Sequence, residues 1–145
     1  MPVEESREEG WVRIWEPSGA CVTFGVPVHD EYDFVDFPVS IVGDGLSATA
    51  SVRSMEGLTG RGLIALFQAL ADDWRGEKAE VSWTAIEHGL RIGTKRDSRG
   101  HVSLTFELRQ NYRWDAWAAR VVVTVEAGEE MGTLVAAVRR LLAVP

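Results

Sequence analysis

Residues 72–108 read DDWRGEKAEVSWTAIEHGLRIGTKRDSRGHVSLTFEL. Between residues 100 and 109 the apolar side chains Val102, Leu104, Phe106 and Leu108 alternate with His101, Ser103, Thr105, Glu107 and Arg109. Successive side chains of a strand point to opposite faces, so this register gives one buried face and one wet face. Val81, Trp83 and Ala85 alternate in the same way with Glu80, Ser82 and Thr84, which makes Trp83 an expected core residue. Just upstream the period changes. Leu63, Leu66, Phe67, Leu70 and Trp74 recur at helical spacing, and Gly76 stands where a left-handed residue would end the helix. The stretch thus reads as a helix end followed by strands at residues 80–86, 90–95 and 100–110, with ordinary sheet accounting for most of its features.

Working outward, residues 11–16 and 20–26 are β-rich runs joined by Pro17-Ser18-Gly19, a hairpin signal. Residues 34–42 and 46–53 flank Gly43-Asp44-Gly45, a tight turn, and Pro38 pushes the first of them toward an edge or a bulge. Downstream, residues 114–126 form a longer strand. Residues 129–142 form a second helix, with Glu129 and Glu130 in its first turn and Arg139 and Arg140 in its last, the order the helix dipole favours. The connections are hairpin-short, and each helix needs a sheet to cover its apolar stripe. The expected class is α+β: a mostly antiparallel sheet of seven to eight strands with two amphipathic helices, in the order ββββα-ββββα. Residues 1–10, charged and without period, are expected to be a disordered lead, and residues 11–145 a single globular domain.

The charge is uneven. The first 72 residues carry 12 acidic and 4 basic side chains and the remainder 10 acidic and 11 basic, so the net −7 is N-terminal. Affinity for phosphates rests on clustered Lys and Arg, which argues against nucleic acid and anionic membrane and in favour of a basic protein partner. Cys21 is the only cysteine, which excludes an internal disulfide and a thiolate zinc site. The N-terminus lacks the basic start and apolar core of a secretory signal, and no apolar run reaches membrane length, so a cytoplasmic location is expected. No cofactor motif is present. The glycine-rich GLTGRG at residues 57–62 lacks the Gly-Lys-Ser/Thr ending of a phosphate loop and reads as a turn before a helix.

Two sets of residues are candidates for function. Asp30, Glu31, Asp33 and Asp36 form an acidic loop with no basic residue between Arg13 and Arg53, suited to docking Arg or Lys of a partner. The alternative is a small-molecule or catalytic pocket between a curved sheet and its helices, lined by Trp74, Trp83, Glu87 and His101. His101 is about 7 Å from Ser103 along a strand, too far for a direct serine–histidine contact, and reads as a solvated strand-end histidine. A metal site would have to combine Glu87 and His88 with the His29-Asp30-Glu31 cluster, which reads better as a solvated loop. Trp114, beside Arg113, is a further binding candidate if exposed.

LADDWRG, SWTAIEHGLRI, SRGHVSLTFEL and VEAGEEMGTLVAAVRRLL, in this order across residues 20 to 142, together resemble a family of small single-domain actinobacterial proteins of unknown function. The match lies in Trp74, Trp83, Glu87, Gly100-His101 and Gly128-Glu129. The resemblance implies no activity. By analogy of size, acidity and build, it implies an immunity-like or interaction module.

Overall fold

The computed structural model describes residues 2–32, 34–56, 61–77, 80–110 and 113–143, with residues 113 and 114 described by backbone alone. Both expected helices form, α1 at Leu63–Asp72 and α2 at Glu129–Leu142. The strands described are β1 (Val3–Ser6), β2 (Trp11–Trp15), β3 (Cys21–Phe24), β4 (Val28–His29), β5 (Phe34–Gly43), β6 (Leu46–Met55), β7 (Ser82–Thr84), β8 (Leu90–Arg96), β9 (His101–Gln110) and β10 (Arg113–Glu126). The class is α+β with antiparallel pairing, but β1 to β6 make one sheet and β7 to β10 a second, where one sheet of seven or eight strands was expected.

The two additional strands are short and irregular in sequence. β1 lies in the lead expected to be disordered, where Val3 pairs with Ile14 and is buried. β4 has only two residues, Val28 and His29, paired with Asp36 and Val35. Because β6 pairs with β5 along its whole length, β3 and β4 share the other side of β5, opposite residues 39–42 and 35–36 respectively. The gap between them, at residues 25–27, explains Pro38. In an antiparallel strand the N–H and C=O of one residue face the same neighbour. The Pro38 carbonyl accepts the Gly25 N–H at 2.8 Å, so its missing donor faces the gap and not β6. A proline expected at an edge or bulge therefore sits in an interior strand.

The two sheets and α1 share one core. Phe24 of β3 lies 6.1 to 6.3 Å, centroid to centroid, from Phe37 of β5, Phe67 of α1 and Phe106 of β9. Val102, Leu104, Phe106 and Leu108 of β9 are fully buried, as alternation requires, and Val121, Val123 and Val125 face the first three of them from β10. A glutamate caps each helix. Buried Glu56 accepts the N–H groups of Leu63 at 2.8 Å and Ile64 at 3.0 Å and the Ser54 hydroxyl. Glu126 accepts the amides of Gly128 and Glu129 at the start of α2. Carboxylates are favoured there because the first amides of a helix lack partners and its dipole is positive at that end.

Two tryptophans depart from expectation. α1 ends at Asp72, before the apolar stripe reaches Trp74, and that residue is 57% exposed. Trp83 is only partly buried, because β7 is the margin of the second sheet and has a neighbour on one side alone. Its indole donates to the Arg61 carbonyl at 2.8 Å. No helix among the described residues is long and apolar enough to cross a membrane.

Candidate functional site

The segment from Gly25 to Tyr32 is held in place while its side chains face outward. The break between β3 and β4 takes Gly25, Val26 and Pro27 out of the strands, which leaves Val26 58% exposed; Val28, in β4, is 67% exposed. Tyr32, in the turn to β5, is 69% exposed. These are the three most exposed large apolar side chains among the described residues, and they fall within seven positions. His29 points the other way and donates through Nε2 to the Leu142 carbonyl at 2.8 Å, tying the segment to the end of α2.

Asp30 organises the turn. Its Oδ1 accepts the N–H of Tyr32 at 2.8 Å and of Phe34 at 3.0 Å, an arrangement in which aspartate mimics a backbone turn. Asp30 and Glu31 are both exposed beside Tyr32. Asp36 has a partner within the sheet. It lies across the ladder from Arg53, whose Nε and Nη2 each donate to its carboxylate at 2.9 Å, and the Arg53 guanidinium also lies 5.3 Å from the Phe34 ring centroid. The hydrogen bonds and charge of Asp36, followed by the more distant charges of Glu87 and Asp30, hold Arg53 above its ordinary range. Asp36 is thus paired within the sheet, while Asp33 lies outside the described residues.

A groove of about 430 Å³ adjoins this segment, with Trp11, Val12, Pro27 and Leu141 as its apolar lining. The Glu5–Arg140 ion pair stands at its side and links β1 to α2. The groove is continuous with Val26, since Gly10 in its wall leaves only 3.1 Å between a Cβ at that position and Val26 Cγ2. The Glu5 carboxyl is lowered from its ordinary range, chiefly by its hydrogen bonds from Arg140.

The four residues of the alternative pocket separate. Trp74 and His101 line one cavity of about 470 Å³ together with Arg96, Asp97 and Glu126. Trp83 lines a different hollow of about 150 Å³ with Ser54, Met55 and Arg61. Glu87 sits in the turn between β7 and β8 at a positive φ of 71°, where its charge acts on Arg53. His101 is anchored within its own turn: Asp97 accepts its backbone N–H at 2.9 Å and lies 3.2 Å from its Nδ1. The Asp97 carboxyl is lowered, first by the His101 backbone N–H. Arg96 is likewise committed, donating to the Leu70 carbonyl at the end of α1 and pairing with Asp73. The side chain of Trp114 lies outside the described residues.

Val26, Val28, Tyr32 and Trp11 did not stand out in the sequence, because exposure depends on where a ladder breaks. Pro27 was the available signal. The pairing of Asp36 was also legible: with Gly43 opposite Leu46 across the tight turn, Asp36 falls opposite Arg53.

Residues 13–145 match the model of a family described as Family of unknown function (DUF6228), and the chain belongs to that family. No curated protein and no solved structure matches it.

Proposed function

We propose, since membership in this family brings no activity with it, that the chain is a non-catalytic interaction module. Residues 26–32 would dock a protein partner with a basic, partly apolar surface. One observation carries this reading: the three most exposed large apolar side chains among the described residues cluster in this segment and are flanked by Asp30 and Glu31. Binding energy concentrates in a few aromatic and apolar anchors, while flanking charge sets encounter rate and partner choice. The groove beside Val26 offers a place for an apolar side chain of the partner, and the acidic pair selects against acidic competitors. An immunity-like role, in which a small acidic protein covers a basic one, fits the same chemistry. The acidic N-terminal half and the single cysteine suit a cytoplasmic protein.

Photo-crosslinking in the native host tests this. A photoreactive residue in place of Val28 should capture a basic protein that the same residue at exposed Ala118 of β10 does not. Equal capture from both positions, or none from position 28, would overturn the proposal.

A small-molecule site is the second reading, favoured by the cavity that Trp74 shares with His101. It requires a ligand that quenches Trp74, so that the fluorescence response disappears in Trp74→Phe. It also requires Asp30→Asn with Glu31→Gln to leave that response intact.

A further inference from the structure

β6 is a margin of the first sheet, on the opposite side of β5 from β4. Its pairing with β5 runs from Phe34 opposite Met55 to Gly43 opposite Leu46 without a register shift. On its outer side the backbone partner among the described residues is Ile86, bridged to Arg53. Before that bridge, residues 46–51 present their outward amides and carbonyls to no described strand. Ala48 and Ala50, on the inward face, remain partly exposed, as they would at an uncovered rim. Free sheet edges are normally blunted by lysine, proline, a bulge or a covering element. Leu46-Ser47-Ala48-Thr49-Ala50-Ser51-Val52 has no charge, proline or glycine, in a chain where 26% of residues are charged.

We infer that residues 47–51 of β6 are a self-pairing site, at which a second copy of this chain adds its own β6 antiparallel about a two-fold axis through Thr49. The occupant follows from the sequence, because Ser47-Ala48-Thr49-Ala50-Ser51 reads identically in both directions. A two-fold interface has to be self-complementary. Antiparallel pairing about Thr49 sets threonine against threonine, Ala48 against Ala50 of the second copy and Ser47 against Ser51 of the second copy. It opposes no like charges. Because the operation keeps odd positions opposite odd ones, the inward alanines of both copies share a face, and so do the outward hydroxyls. Cross-strand Thr–Thr and Ser–Ser contacts of this kind favour pairing. The Arg53–Ile86 bridge occupies the edge beyond Val52, so the joined segment is short and the dimer is expected to be concentration-dependent.

Sedimentation equilibrium of the full chain at rising concentration should show a reversible monomer–dimer equilibrium. Thr49 is exposed on the outer face, so a charge there leaves the core untouched. Thr49→Lys and Thr49→Glu, each placing like charges across the two-fold axis, should each raise the dissociation constant by about tenfold or more. An equimolar mixture of the two, with lysine facing glutamate, should regain the dimer. Circular dichroism checks that both variants keep the native fold. If either fails that check, Ser47→Lys with Ser51→Glu, which sets opposite charges face to face in the homodimer, should tighten association where Ser47→Lys with Ser51→Lys weakens it. A wild-type chain that stays monomeric at every concentration, a dimer indifferent to charge at Thr49, or folded variants that do not recombine would overturn the proposal.

Discussion

Glu56 is the one charged residue buried among those described. Its carboxylate is shared between the first amides of α1 and the Ser54 hydroxyl. Glu56→Ala removes a helix cap and leaves buried donors without acceptors, and should lower stability by about 2–3 kcal/mol in denaturant titration. Gly62→Ala should be similarly harmful, because a Cβ at that position would fall 1.9 Å from the Glu56 carboxylate. A comparison of apolar sites separates core from margin. Phe106→Ala should cost about 3–5 kcal/mol, Trp83→Ala clearly less because its ring is partly exposed, and His101→Ala under about 1 kcal/mol. Asp97 supplies a pH dependence. Its carboxyl is lowered chiefly by the His101 amide, so its contribution is present above the ordinary aspartate range and lost as pH falls through the folded-state value. Carboxyl chemical shifts followed by NMR should give Asp97 a midpoint below that of an unperturbed aspartate.

At the scale of elements, what could be read in advance was whatever repeats. The alternation of Val102, Leu104, Phe106 and Leu108 located β9, and the period of Leu63, Leu66, Phe67 and Leu70 located α1. Elements too short to show a period were not legible: β1 is ordered by pairing with β2 and by Arg140, and β4 exists because β5 offers a free side beyond the Gly25–Pro27 gap. The division into two sheets was equally hidden, since no local residue records that β6 pairs with β5 alone among the described strands and ends the first sheet. The gap has its own test. A Cβ at Gly25 would lie 2.6 Å from Pro38 Cγ, so Gly25→Ala should force β3 and β5 apart and lower the melting temperature. It should also perturb the NMR resonances of Val26 and Val28 more than those of the second sheet. An unchanged melting temperature would mean that the break accommodates a side chain.

For the whole molecule, Phe24 links both sheets and α1 through one aromatic cluster, so the sheets should unfold together. Tryptophan fluorescence and far-UV circular dichroism should give coincident denaturation curves, whereas two separated transitions would divide the core. The acidic loop was legible as charge, but its surroundings were not: register pairs Asp36 with Arg53, and the exposed apolar side chains beside the loop arise from an interrupted ladder. The claim that residues 26–32 dock a basic partner is tested most directly by association kinetics with the protein captured through position 28. Rates for the wild-type chain and for Asp30→Asn with Glu31→Gln should be compared at low and high ionic strength. The expected result is a slower association of the double variant at low salt that converges with wild type at high salt, with the melting temperature unchanged. Equal association rates at both ionic strengths would contradict it.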